Sequence, residues 1–589
     1  MEWAALATQT AELESQVAAE CDSPELDDSP ELESSPELDC SPELDGSPEH
    51  DGHDFQPSGR LRQSLFPVAL VSGLTLFAAS VEGYHPFAED GGLYVAGVKR
   101  LLDPTLYPHA TAFVLEPMRR SLFAPTVAAF VRLSHLSLPV ALLALHLASI
   151  WMTLFAAWML AARCYASRPA RIGAVTLLAC WLSLPVAGTA LLLMDPYLTA
   201  RSFATPAMIL ALVGALDYSA ERSRQSAKSA SLYLCAASLL LAAAMHPLMA
   251  ANALAATLLL LCLRSPRRAV RLWATLSLLA LALLLAASLE AVARPQSAAY
   301  LRIAQTRTYW FVAQWRWFEL LGLAAPLAIL TGFARRWSSL ARKRGQRGNP
   351  TPEAFAQRGL ARQALARMGV AVGATSWLVA TLFARAGSAS HLVARLQPLR
   401  AFQVVYLILV LMLGAQLGSR LLRRSLWRWA AAMLLLGGVM FGVQRASFPH
   451  SKHLELPGVA SQNPWVQAFL WARQFTPTDA LFALDPDYIN RPGEDAQCFR
   501  AIAERSALAD YSKDGGEASI APELTAEWAS EQAAQQDKQQ GLNAAPTTDA
   551  ERVAALGPLG VTWLVLEEDT ATGFDCPYQN ASVKVCRLR

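Results

Sequence analysis

Two adjacent carboxylates, Glu89 and Asp90, stand in the stretch EGYHPFAEDGGLYVAGVKRLLDPTLYPHATAFVLEPMRR, directly after the first long apolar run of this 589-residue sequence. Leu93, Tyr94, Val98, Leu101 and Leu102 follow at helical spacing, which predicts an amphipathic helix lying along a membrane face. A carboxylate held there by apolar neighbours loses water. Desolvation raises its pKa and suits it to take a proton from an attacking hydroxyl, so Asp90 and Glu89 are the catalytic candidates. The plainer role is structural, with Asp90 capping the free amides of the helix and Glu89 solvated.

A phosphate-bearing substrate needs cations nearby, and arginine presents a planar fork that grips two phosphate oxygens. Arg201 in MDPYLTARSFATP, Arg302 and Arg307 in YLRIAQTRTYW, and Arg395 and Arg400 in HLVARLQPLRAFQ are the substrate-binding candidates, together with Tyr94. For any one arginine the bland alternative is a stem snorkelling to the membrane surface. Asp195, beside Pro196, is a second acid or an ion-pair partner for Arg201, and His246, before Pro247, either lines an outward cavity or ends a helix. The cluster YWFVAQWRWF at 309–318 reads as an interfacial aromatic belt. The polar stretch from Asp485 to Glu517, acidic around Asp485, Asp487, Glu494 and Asp495, offers a place for an acceptor or a cation but no calcium-loop spacing, and its default reading is a solvated surface loop. Nine cysteines show no C-x-x-C spacing, so no zinc site is indicated; Cys576 and Cys586 either close a disulfide in an oxidising compartment or are ordinary small apolar residues.

The elements that must position these residues belong to a membrane protein, because 53% of the residues are apolar and only 17% charged. A net charge of +2 offers nothing to nucleic acid. Residues 1–58 carry a repeated acidic SPELD unit with no core-forming residues and read as a disordered tail. Apolar runs long enough to cross a hydrocarbon layer of about 30 Å then recur. They fall at 64–82, 138–162, 172–194, 203–218, 230–246, 248–263, 271–292, 317–334, 368–385, 401–419 and 427–444, eleven in all within a transmembrane domain at 59–446. Alternate connections carry the Arg and Lys clusters, among them Arg163, Arg168 and Arg171, Arg264, Arg267 and Arg268, and Arg335 to Arg347. That bias puts the N-terminus in the cytoplasm and the large loop 82–136 and residues 451–589 outside. Residues 451–589 mix helical and strand patterns, with ALFAL at 480–484, GVTWLVL at 560–566 and SVKVCRL at 582–588, and predict a soluble α/β domain.

An outer first loop opening with Glu89, Asp90 and Tyr94 and leading to Tyr107 and Pro108, many spans, and an outer C-terminal domain introduced by WARQFTPTDALFAL at 471–484 resemble the polytopic glycosyltransferases of the C-type fold (GT-C). These include the protein mannosyltransferases, oligosaccharyltransferase subunits and aminoarabinose transferases. The resemblance implies transfer of a sugar from a polyprenyl-phosphate carrier to an acceptor on the outer face of the cytoplasmic membrane, with Asp90 as base or metal-associated carboxylate. The cofactor is unknown from sequence, a divalent cation being the group the resemblance allows for. The order Glu89 then Asp90 departs from the usual aspartate then glutamate, and no WWD-type acceptor motif stands in the tail. Two alternatives come from other classes. One is a multi-pass envelope protein that binds a partner. The other is a transporter, against which stand the lack of a repeat between halves and of charges inside the runs.

Overall fold

The computed structural model describes residues 57–220, 225–346, 353–535 and 548–588; the acidic repeats at 23–51 lie outside them. The chain is a polytopic α-helical membrane protein with a C-terminal α/β domain. Among the described residues nine helices are long and apolar enough to cross a membrane, from Leu65–Glu82 and Leu138–Cys164 to Leu426–Ser447. Two shorter helices, Arg168–Cys180 and Pro247–Leu263, take the places of the third and sixth expected spans.

The span expected at 172–194 is thereby corrected. Its helix ends at Cys180, and residues 181–199 fold back on themselves, with the Val186 N–H donating to Leu191 O (2.8 Å) and Leu193 N–H to Leu184 O (3.0 Å). Pro185 and the left-handed backbones of Ala187 and Ala190 (φ 45° and 54°) shape the fold-back, and its local pairs satisfy backbone groups that a continued helix would have paired. Leu182, Leu191, Leu193 and Met194 are apolar because they belong to the protein core, not because they face lipid. Arg168–Cys180 packs on Phe402–Leu417 at a crossing so close that a Cβ on Gly173 would lie 2.3 Å from Gly414 O, a small-residue contact of the kind that joins membrane helices.

Arg163 Nη2 meets Asp217 Oδ2 at 2.7 Å, joining the C-terminal ends of Leu138–Cys164 and Ala200–Tyr218. The N-terminal ends of both helices therefore reach the other end of the bundle, where the C-terminal domain sits. That domain has one five-stranded sheet in the order β2-β1-β3-β5-β4, with β1 Leu481–Ala483, β2 Ser506–Ala507, β3 Trp563–Glu567, β4 Tyr578–Gln579 and β5 Val583–Arg587. β1 pairs parallel to β2 and β3, while β5 runs antiparallel to β3 and β4. Cys576 and Cys586 are joined as a disulfide, tying the β3–β4 connection to β5.

The first loop and this domain pack as one. The Cys498 N–H donates to Phe87 O (2.9 Å), the Glu89 N–H to Ala496 O (2.8 Å), and the Tyr107 hydroxyl to Arg500 O (2.9 Å). The helix expected to lie on the membrane face, Glu89–Leu102, instead buries Val95 and Val98 between the Phe123–Ser134 helix and Cys498 and Ala501 of the domain. Gly92 is a point of close approach, since a Cβ there would fall 2.1 Å from Cys498 Cβ and 2.4 Å from Phe87 O. Gly92→Ala is expected to cost about 1–3 kcal/mol by overpacking and to expose the domain boundary. A lower unfolding temperature and faster proteolysis near residue 498 are the readouts.

A candidate active site between the first loop and the C-terminal domain

Pairing of residues 87–89 with 496–498 sets the entry to the Glu89–Leu102 helix, and Glu89 itself takes a left-handed backbone (φ 52°), which is uncommon for a residue with a side chain. The helix begins after Ala88 with no side-chain cap. The structural role considered for Asp90, an amide cap, is thus not the one it plays. Both carboxylates turn instead toward cations.

Arg201 lies in the first turn of Ala200–Tyr218, whose start is fixed by a reciprocal cap between Thr199 and Ser202. Its Nη2 stands 2.9 Å from Asp90 Oδ2 and 2.8 Å from Asp195 Oδ2, and its Nε donates to Asp195 (3.0 Å). Thr199 adds a hydroxyl hydrogen bond to Asp195 (3.1 Å). One guanidinium therefore bridges two acids. From the C-terminal domain, Lys513 opens the Lys513–Ile520 helix, contacts Glu89 Oε2 and reaches Asp90 Oδ1 at 3.4 Å.

This setting reverses the expectation for the acidity of Asp90. Burial alone would raise its pKa, but the Lys513 ammonium and the Arg201 and Arg400 guanidinia outweigh burial and hold the carboxyl well below the usual carboxylate range. Asp195, whose side chain is 4% exposed, goes the other way: burial dominates, and the Asp90 charge adds to it against the opposing pull of Arg201. Lys513 is pushed up, because Glu89 and Asp90 outweigh its own desolvation.

Arg400, in the short helix Pro398–Ala401, is close enough to act electrostatically on Asp90, Tyr94 and His246. It helps line a small recess with Thr189, Tyr309, Trp310 and Gln397. Arg400 Nε, Trp310 Nε1 and Gln397 Oε1 are all buried there without a hydrogen-bond partner among the described residues. Tyr94 packs edge-on against Phe123 (5.0 Å between ring centres), and burial pushes its phenol up to about 12. His246 closes the start of Pro247–Leu263, its Nδ1 accepting from the Met249 N–H at 3.4 Å, which is the helix-end role.

Asp90, Glu89, Tyr94, Asp195, Arg201, His246 and Arg400 thus converge. Arg302, Arg307 and Arg395 do not join them. Arg307 donates to the carbonyls of Ser512 and Tyr511 (both 2.7 Å), so it holds the chain just before Lys513. Arg395 reaches Ile520 O (3.4 Å) at the other end of the same helix, and Arg302 is exposed. The sequence reading missed Lys513 and Glu517, assigning their stretch to a solvated loop. The fold makes it a wall of the site. Among the described residues no three His, Cys, Asp or Glu side chains stand together as a metal-holding group.

A site of this composition can hold an anion. Lys513, Arg201 and Arg400 supply positive charge, and the carboxylates of Glu89 and Asp90 hold the first two in place. The fold and the site together define a multi-pass membrane protein with a charged site walled by its first loop and its C-terminal domain. Among solved structures, the chain is similar to the mycobacterial arabinofuranosyltransferase AftD (14% identity, TM-score 0.42) and to a mutant form of it (13%, TM-score 0.45). The likeness covers 89% of this chain but only 40% and 41% of the respective AftD chains, so this chain spans about two fifths of their length. No protein-family model matches the sequence, and comparison with curated proteins gives no match.

Proposed function

We propose that the protein is an integral membrane glycosyltransferase that takes a sugar from a polyprenyl-phosphate-linked donor and passes it to an acceptor on the extracytoplasmic side. The observation that carries this reading is the convergence of Asp90 with Arg201, Lys513 and Arg400 in one site at the end of the bundle. In the scheme, the donor's phosphate lies against Lys513 and Arg400, which replace the water it gives up. Leaving as a phosphate anion, it needs no proton. Asp90, an anion at every physiological pH, faces the positive charge that builds on the anomeric carbon of an oxocarbenium-like transition state. Arg201 holds Asp90 in place and is itself fixed by Asp195.

The membrane placement proposed with it has the N-terminus in the cytoplasm and the C-terminal domain outside, in the cytoplasmic membrane of the cell. The Cys576–Cys586 disulfide supports an oxidising compartment for that domain. The packing of first loop on C-terminal domain speaks against spans that serve only as an anchor.

The test uses purified protein in liposomes with a panel of radiolabelled polyprenyl-phosphate sugars and envelope acceptor fractions. Acceptor-dependent release of polyprenyl phosphate from one donor is the expected result. Solute uptake with no release from any donor would replace the reading with a transporter.

A further inference from the structure

In the scheme above the acceptor hydroxyl must lose a proton, and Asp90, paired with Arg201 and Lys513 and under the charge of Arg400, is a weak base. We infer that Glu517, supplied by the C-terminal domain, is the general base that takes this proton. The inference rests on the transferase reading and adds a catalytic residue to it.

Glu517 lies one helical turn beyond Lys513 on Lys513–Ile520, so both side chains leave the same face, the one turned to Asp90. Its side chain is 13% exposed, and Oε2 has no hydrogen-bond partner among the described residues. The nearest cation to Oε2 is Arg120 Nη2, at 3.5 Å, and that guanidinium is already engaged by Glu116 at 2.8 Å. A carboxylate oxygen that accepts no hydrogen bond and has only a long contact to a guanidinium shared with Glu116 is what a base awaiting an acceptor requires.

Tyr94, on the Glu89–Leu102 helix, is close enough to Glu517 for the two to act on each other electrostatically. From the first-loop helices, Arg120 lowers the proton affinity of Glu517 while Asp90 and Glu116 raise it; on its own helix Asp514 also raises it, though Arg500 holds that acid at 2.7 Å. Lys513 is held by Glu89 and Asp90. The Ala298–Gln305 helix sends the Tyr300 hydroxyl to Ser519 O (2.7 Å), and Thr525–Gln535 has Glu531 occupied by the Ala509 N–H (2.6 Å). Burial leads, and the Glu517 carboxyl is pushed up to about 7. Two carboxyls a few residues' reach apart thus have opposite acidities, the pattern that separates a charge-stabilising anion from a proton acceptor.

The step balances within the site. The acceptor O–H proton passes to Glu517, and the acceptor oxygen forms its bond to the anomeric carbon. The bond from that carbon to the phosphate oxygen breaks, its electron pair leaving on the phosphate.

Transfer rate against pH and donor binding are measured for wild type, Glu517→Gln and Glu517→Asp. In wild type the rate should rise through about pH 7 as Glu517 loses its proton. Glu517→Gln should lose about 10²–10⁴-fold in kcat and the rising limb, with donor affinity unchanged, and Glu517→Asp should restore part of both. Wild-type protein that transfers sugar while Glu517→Gln keeps its rate and limb overturns this inference alone. Wild-type protein that binds no polyprenyl-phosphate donor overturns the transferase reading, and the inference with it.

Discussion

Asp90→Asn is expected to lower the rate of sugar transfer by about 10²–10³-fold, the loss seen when one preorganised charge-stabilising group is removed. The substitution keeps the shape of the side chain and removes the negative charge opposite the anomeric carbon. Because Lys513, Arg201 and Arg400 hold the Asp90 carboxyl far below neutral pH, it stays ionised throughout the working range. The loss should therefore be the same at pH 6 and pH 9, and the wild-type limb near 7 should persist in the variant. A pH-dependent loss would make Asp90 the proton acceptor after all. The folded state is predicted to survive, since a third of the Asp90 side chain is exposed and Arg201 keeps its pairing with Asp195.

Arg201→Met has a different and larger structural consequence. It leaves Asp195, 4% exposed, with the Thr199 hydroxyl, while Asp90 keeps Lys513. Removing one member of a buried ion pair costs about 3–5 kcal/mol, because the other charge stays behind without compensation. Chemical denaturation in a fixed detergent should show a loss of that size, and Arg201→Met with Asp195→Asn should recover most of it. Equal instability of the single and double variants would mean that Arg201 acts by packing alone. The two acids also predict opposite responses to pH. Asp90, with a lowered folded pKa, adds stability that is present above its unfolded value of about 3.9 and lost as pH falls through the folded one. Asp195, with a raised folded pKa, adds stability that is present below its unfolded value and lost as pH rises through the folded one.

How much of this was readable in the chain depends on how local each signal is. Glu89 and Asp90 stand out because an acidic pair directly after an apolar run is a local pattern, and Arg201 and Arg400 because positive charge is unusual in the connections opposite the basic clusters. Nothing local marks Lys513: it meets Glu89 from 424 positions away and sits in a polar stretch whose composition matches a solvated loop. Composition also cannot tell a lipid-facing leucine from a core leucine, which is why residues 181–194 read as membrane span and fold as a compact buried turn. The acidity of Asp90 was read with the wrong sign for the same reason, since its apolar neighbours are adjacent in sequence and its cations are not.

The most direct test of the shared site is the affinity for polyprenyl monophosphate, the leaving group of the proposed reaction, measured by native mass spectrometry on wild type and Arg400→Gln in lipid nanodiscs. Arg400 has a buried Nε with no partner among the described residues, so its replacement should weaken lipid-phosphate binding at least about tenfold, or 1.4 kcal/mol, with little change in unfolding temperature. Equal affinity in the two proteins, or no saturable binding to wild type, would contradict the account.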